Sequence, residues 1–300
     1  MLTFLALLAC SAKPADDAFT TGEVEDPGTP LDSADTSDDT ADTTDTGGGY
    51  DTGGDTDTGG GNDTGGGTDT AAPVVGTWGM LQSTRSLVDN PVGSGTDTTD
   101  TRAVSLLRWT RTGTDIVWES ELCALTSTEV YGTLTSFPPA FLAAFPVLER
   151  EATLSAAETG ATFTAGPFVD VIGARLDSPD DPLPTSERDS RQWDQDGDGE
   201  PGMTVHVEQS ILGGGDVYIT QRTSSTLVGT VLRADRIEGF VRDFDQEQVL
   251  YGASTWWLEL PTNNRPDTTE DANWFILQEL GDDVSDCTAL VAAQRGVFGR

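Results

Sequence analysis

Met203-Thr204-Val205-His206-Val207-Glu208 alternates apolar and polar side chains with a period of two. On an extended chain successive side chains point to opposite faces, so Met203, Val205 and Val207 share one face while Thr204, His206 and Glu208 share the other. A segment with one buried and one wetted face reads as a half-buried antiparallel strand. The same pattern sets Ile116 and Trp118 against Val117 and Glu119, and Val217 and Ile219 against Tyr218 and Thr220. It also sets Ile237, Gly239 and Val241 against Arg236, Glu238 and Arg242.

Turn signals separate these runs at short spacing: Thr112-Gly113, Gly213-Gly214-Gly215, Ala234-Asp235 and the stretch from Asp243 to Asp245. The expected fold class is therefore all-β, an antiparallel meander of about nine or ten strands. Only the segment from Pro138 to Glu151, which begins Pro138-Pro139-Ala140-Phe141-Leu142, reads as helical. Sequential hairpins close most naturally as an up-and-down barrel, because closure removes edge strands; a β-sandwich is the alternative. The domain opens Val74-Val75-Gly76-Thr77-Trp78-Gly79, which resembles the Gly-x-Trp signature of the lipocalin and related calycin barrels. That resemblance implies a lipocalin-like barrel with Trp78 packed across one end.

Charge divides the chain before any fold is considered. It carries 51 acidic and 16 basic side chains, a net −35, which disfavours nucleic acid and anionic lipid surfaces as partners of a basic groove. Sixteen of the acidic residues and the single lysine lie between Ser11 and Ala72, where Phe19 and Tyr50 are the only aromatics. Stretches such as Asp51-Thr52-Gly53-Gly54-Asp55-Thr56-Asp57-Thr58 cannot bury enough apolar surface to offset the entropy of ordering, so residues 11–72 are expected to form a disordered acidic linker. As a flexible coil it would span roughly 45 Å. Residues 73–300 are long enough for one sizeable β-rich domain.

Met1 to Ala9 is apolar except for Thr3 and ends in Leu7-Leu8-Ala9-Cys10, after which polarity changes abruptly. This resembles the lipobox of bacterial lipoproteins, which implies a signal at residues 1–10, lipidation of Cys10 and a membrane anchor. Nine residues are too few to span a bilayer as a helix. Ser11 after the cysteine, by that family's sorting habits, implies the outer membrane, with the domain facing the periplasm or the cell surface. No basic residue precedes the apolar run, a departure from the usual signal. Lipidation of Cys10 would leave Cys123 and Cys287 as an even pair in an oxidising compartment, so a structural disulfide is expected between them. The order of elements resembles uncharacterised Gram-negative lipoproteins with Asp/Thr/Gly linkers, a likeness that carries no activity with it.

The segment richest in chemistry is Trp193-Asp194-Gln195-Asp196-Gly197-Asp198-Gly199-Glu200-Pro201-Gly202. Asp194, Asp196 and Asp198 occupy positions one, three and five of a loop with Gly199 at six, the Asp-x-Asp-x-Asp-Gly start shared by EF-hands, dockerin repeats and thrombospondin type 3 repeats. Alternate carboxylates converge only if the chain curls around a common centre, and glycine at position six permits the turn that aims the Glu200 carbonyl inward. Position twelve is Val205 rather than glutamate and a strand follows, so this is expected to be a stand-alone Ca2+ loop near 189–202. Its further ligands would come from Asp189, Glu208 or water. Zinc is a poor match, since there is one histidine and no free thiolate set.

No nucleophile elbow, phosphate loop or His-Glu-x-x-His helix is present, and the one imidazole, His206, stands on a polar strand face beside Glu208. No catalytic assignment follows. Trp256-Trp257, read as strand, places one ring in the core and the other on the surface, where it could stack on a sugar or a protein. Two functions are expected from different classes. One is a membrane-anchored lipoprotein presenting a calcium-stabilised β domain to proteins, glycans or the envelope. The other is a lipocalin-like carrier of a small apolar ligand. A carrier needs a cavity, whereas a structural domain should fill its interior with side chains such as Trp109, Trp118 and Phe240.

Overall fold

The computed structural model describes residues 73–90, 94–259, 264–269 and 271–300. The expectations for residues 1–72, Cys10 and the acidic linker included, lie outside the described residues.

Eight strands form a closed antiparallel ring. In chain order they are β1 (Val74–Asp89), β2 (Thr96–Thr112), β3 (Asp115–Ser127), β5 (Leu148–Leu154), β6 (Thr162–Ile172), β8 (Gly213–Arg233), β9 (Arg236–Ala253) and β11 (Trp274–Glu279). Each pairs with the next, and β11 returns to β1 with Leu81 opposite Ile276. The all-β meander is thus an up-and-down barrel and not a sandwich. Three further strands, β4 (Thr133–Ser136), β7 (Met203–Gln209) and β10 (Asn264–Pro266), are excursions from the ring.

Trp78 stacks on Trp109 with ring centroids 4.8 Å apart, Trp109 on Trp118 at 5.7 Å, and both Trp109 and Trp118 lie against Phe163. Phe275 meets Phe163 at 5.9 Å. These buried rings, with Leu107, Leu227 and Leu277, occupy the barrel interior. Filling of this kind is usual for eight strands, whose lumen is about one side chain wide. Phe240 does not take part. It is even-numbered in a strand whose odd positions face inward, and it lies outside, beneath the Arg242 guanidinium.

The alternation of β7 leads elsewhere. β8 is 21 residues long: its Gln221–Thr230 part pairs with β6, its Gly213–Ile219 part pairs with β7, and β9 runs beside both. The barrel wall therefore continues past the ring as a β4–β7–β8–β9 sheet. Met203, Val205, Val207, Val217 and Ile219 pack beneath that sheet against Phe141, Trp257 and Leu258, a second core separate from the barrel's own.

Two helical expectations change. The helix anticipated from Pro138 to Glu151 is only α1 (Pro139–Ala143), and Leu148 to Glu151 belong to β5. Pro146 explains the stop, because it cannot donate a helical hydrogen bond and disfavours helix in the residue before it. A second helix, α2 (Cys287–Phe298), was not anticipated. The Asp286 side chain caps it by accepting from the Ala289 N–H, and Gly299 closes its end. Its apolar face lies on the outer surface of β1, β2 and β11 through Leu290 and Phe298 against Leu81, Leu106 and Ile276. Cys287 at its start joins Cys123 of β3 in the expected disulfide. No helix among the described residues is long and apolar enough to cross a membrane.

Candidate metal centre

The aspartate loop lies in the connection from β6 to β7 and is clasped at its base. Gly173 follows β6 and Gly202 precedes β7; a Cβ on either would lie within 2.4 Å of the Ile219 carbonyl oxygen of β8, and both residues have positive φ. Only glycine allows the two ends of the connection to close over β8 at one point. The clasp is hydrogen-bonded: the Gln195 N–H donates to the Gly202 carbonyl at 2.9 Å and the Gly173 N–H to Gln195 Oε1 at 2.8 Å. Gln195 Nε2 also donates to the Ala144 carbonyl, tying the loop to the end of α1. The Trp193 ring is covered by the Arg175 guanidinium at 4.2 Å.

Within this frame the three aspartates converge. Asp194, Asp196 and Asp198 each offer an oxygen within 4.8 Å of the others. Two oxygens bound to one calcium at about 2.4 Å cannot be more than about 4.8 Å apart, so the spacing fits a shared ion of that size. The curl is held by backbone donors. The N–H groups of Gly197 and Gly199 donate to the two oxygens of Asp194, at 2.8 and 3.0 Å, and the Glu200 N–H donates to Asp198. Thr204, in the first turn of strand after the loop, donates its N–H to Asp196 Oδ2 at 2.8 Å and its hydroxyl to Asp198 Oδ2 at 2.6 Å. Gly199, at position six, has φ +93°, the left-handed geometry expected there.

Asp196 is the informative member. Its Oδ1 is buried and has no hydrogen-bond partner. Burial, reinforced by the neighbouring Asp198 and Asp194 charges, pushes its carboxyl above the ordinary carboxylate range. An orphaned buried oxygen on a carboxylate facing two others is costly unless a cation or a proton occupies the space. Hard oxygen donors without sulfur or imidazole suit calcium or magnesium rather than zinc. Asp198 also reaches Tyr218: burial first, then Glu200, Asp216 and Asp198, raise its phenol.

Neither Asp189 nor Glu208 joins the converging group. Asp189 is held by Arg191, with Nη2 to Oδ2 at 2.7 Å and Nε to Oδ1 at 3.1 Å, which pulls its carboxyl down to about 2. Glu208 stands four residues beyond Thr204 along β7, about 13 Å away by strand rise, and is exposed. The Glu200 carboxylate is not in the converging group, which among the described residues contains the three aspartates alone. Thr204 is the residue that sequence reading missed. Its place at position eleven of the loop, where a strand was already assigned, hid its role as an anchor.

Elsewhere, His206 Nδ1 and Asp216 Oδ1 lie 2.7 Å apart across β7 and β8, both half-exposed, a cross-strand pair rather than part of the metal cluster. Trp256 and Trp257 divide as expected, at 74% and 6% exposed, but on a 3-10 turn (Trp256–Glu259) instead of a strand.

Neither a protein-family model, nor a curated protein, nor a solved structure matches this chain.

Proposed function

We propose that this chain is a membrane-anchored lipoprotein whose barrel domain is ordered by a structural calcium ion and acts as a presented interaction or scaffold module. The observation that carries the calcium part is the orphaned Oδ1 of Asp196 facing two further carboxylates. Asp194, Asp196 and Asp198 would hold the ion, with the Glu200 carbonyl and water completing the shell. The ion would supply charge neutralisation, and with it the order of the loop from Leu183 to Gly202. The anchor part rests on Leu7-Leu8-Ala9-Cys10 and the acidic linker, and a disulfide suits the oxidising compartment that an outer-membrane, periplasmic or surface address provides. Trp256, about three-quarters exposed beside the second core, is the aromatic best placed to stack on a glycan or protein partner.

Calcium is expected to raise the melting temperature of the full chain. At a hundredfold excess over Kd, binding stabilises by about 2.7 kcal/mol, a shift of roughly 5–10 °C for a domain of this size. Asp196→Ala should abolish the shift; an equal shift in the variant, or none in the native chain, would discard the assignment. The effect carries a pH signature. The folded Asp196 carboxyl holds its proton to higher pH than the unfolded one, so in a chelator the folded state binds more protons in that window, and stability falls as pH rises through it. Calcium removes this loss, and the calcium-dependent shift should grow from pH 4 to pH 7. The anchor is tested separately by labelling cells with radioactive palmitate: label is expected in the native chain and absent in Cys10→Ser.

The carrier reading retains one specific feature. A cavity of about 520 Å³ opens at the barrel mouth above Trp78 and Trp109, rimmed by Arg111, Glu158 and Glu279. A small ligand would sit there, on the tryptophan stack rather than within the filled barrel, and native mass spectrometry of the purified chain would reveal it.

A further inference from the structure

Phe168 and Phe244 pack against the aromatic filling of the barrel, and the next inward-facing positions of β6 and β9 are polar. Arg150 of β5 is the cross-strand partner of Trp118 and so shares its inward face, and its guanidinium lies over the Phe168 ring at 4.3 Å. Arg150 Nη2 donates to both oxygens of Asp170, at 2.6 and 2.7 Å, and Asp170 stands two residues beyond Phe168 on the same face of β6. Asp170 is opposite Thr223 of β8, which is opposite Gln246 of β9. Gln246 Nε2 donates to Gln221 Oε1 at 3.1 Å and Gln221 Nε2 to the Thr223 hydroxyl at 2.9 Å, while Gln248 is the cross-strand partner of Gln221. Two residues beyond Asp170 and Gln221, Ile172 and Ile219 already belong to the second core. A connected layer of six polar side chains therefore lies between two apolar cores.

Packing alone does not account for this layer, since leucine or valine would fill it as they fill the cores on either side at no cost in desolvated polar groups. Gln246 and Gln248 are 7% and 9% exposed, and Gln248 Oε1 is buried with no hydrogen-bond partner. An orphaned amide oxygen at that depth is costly unless a donor reaches it. The barrel wall offers such a donor a way in. β5 and β6 pair only at Ala152–Ala165, Thr153–Thr164 and Leu154–Phe163, although β5 begins at Leu148 and β6 runs on to Ile172. Past that short ladder the Arg150–Asp170 ion pair spans the space between the two strands, and the Asp170 side chain is 41% exposed although it stands on the inward face. Solvent therefore reaches the layer between β5 and β6, and an eight-stranded barrel is wide enough there for one small guest. The layer has one guanidinium, one carboxylate and no net charge, and its other groups are amides and a hydroxyl that both donate and accept. A charged guest would leave an uncompensated charge, and a hydrocarbon would leave the amides unpaired. A compact neutral molecule with several hydroxyls does neither: it donates to Gln248 Oε1 and Asp170 and accepts from Nε and Nη1 of Arg150, which Asp170 does not engage. From β6 to β9 the wall spans two strand spacings, about 10 Å, which one hydroxylated ring covers with a hydrogen bond at each side.

We infer that the polar layer between the two cores binds a neutral polyhydroxy ring of monosaccharide size, admitted between β5 and β6, with Gln248, Asp170 and Arg150 as its hydrogen-bond partners. The site lies at the other end of the barrel from the mouth cavity and rests on none of the calcium, anchor and mouth-cavity readings. Isothermal titration of the full chain, with calcium present throughout, against D-glucose, D-galactose and myo-inositol in turn tests it. Cyclohexanol supplies the ring without the set of hydroxyls, and glucuronate supplies the hydroxyls with a charge. At least one of the three neutral polyols is expected to bind with Kd below about 1 mM, and both controls at least tenfold more weakly. Gln248→Leu removes the orphaned oxygen at similar volume, so it is expected to keep or raise the melting temperature while weakening the polyol at least tenfold. Arg150→Gln, which leaves the half-exposed Asp170 hydrated, is expected to weaken the polyol to a similar degree and tests the site from its solvent side should the first variant fail to fold. No binding by any of the three polyols overturns the proposal. Binding that neither variant weakens also overturns it, by leaving ordered water as the partner of Gln248. Glucuronate or cyclohexanol binding as tightly as the polyol overturns the assignment of a neutral polyhydroxy guest.

Discussion

Gly239→Ala is expected to destabilise the barrel by about 3 kcal/mol or more, enough to prevent folding in many conditions. Gly239 of β9 faces Gly229 of β8 across the ladder, and Phe275 of β11 lies over the pair. A Cβ on Gly239 would sit 2.2 Å from the Val228 carbonyl oxygen, 2.4 Å from the Gly229 Cα and 2.8 Å from Phe275 Cε1. Two of these three neighbours are backbone, so relief requires β8 and β9 to separate where the ring is held closed. Gly296→Ala provides the contrast. Gly296 lies within α2 with nothing inside 4 Å of its added Cβ, and alanine in a helix interior should stabilise by about 0.5–1 kcal/mol. Urea midpoints of the two variants are expected to move in opposite directions; similar midpoints would show that the close approach at Gly239 is relieved at little cost.

Removal of the Cys123–Cys287 bond should be comparably severe. It links residues 164 apart in sequence, and the loop-closure model assigns a bridge of that span up to about 5 kcal/mol, with measured losses commonly about 2–5 kcal/mol. The bond also fastens the start of α2 to β3, so the helix that covers Leu81, Leu106 and Ile276 loses its tether when the sulfurs part. Cys287→Ser, or reduction of the native chain, is expected to lower the urea midpoint and to speed hydrogen exchange in α2 before the barrel strands. Loss of less than about 0.5 kcal/mol would mean that packing alone holds the helix, as surface changes of that size do.

The barrel was legible because its rule is local. Alternation at Ile116, Trp118, Ile237 and Val241 assigns each side chain a face, and short turns such as Ala234-Asp235 force neighbouring strands to be partners. The same rule placed Met203, Val205 and Val207 on a buried face, yet they serve a different core from the one their pattern suggested. Periodicity names a face without naming what covers it. The helix α2 was missed for a related reason. A twelve-residue segment with one apolar stripe and a capping aspartate carries a modest signal, and its stability comes largely from packing on β1 and β2, more than a hundred residues away, and from the disulfide.

The metal centre divides along the same line. Asp194, Asp196 and Asp198 could be read directly, because a carboxylate at every second residue followed by glycine is a local instruction to curl. Asp189 looked available until Arg191 was seen to hold both its oxygens, and the part played by Thr204 appeared only when the strand entering the second sheet brought its N–H and hydroxyl to two different aspartates.

By itself, then, the sequence determined the class of fold, the cysteine pair and the identity of three converging carboxylates, since each depends on residues close in the chain or on a count. The tertiary structure alone decided that β8 pairs with β6 along one part and with β7 along another, and that Gly229 and Gly239 close beneath Phe275. These are outcomes of strand register and barrel closure, set by hydrogen bonds between segments that composition and spacing do not relate to one another.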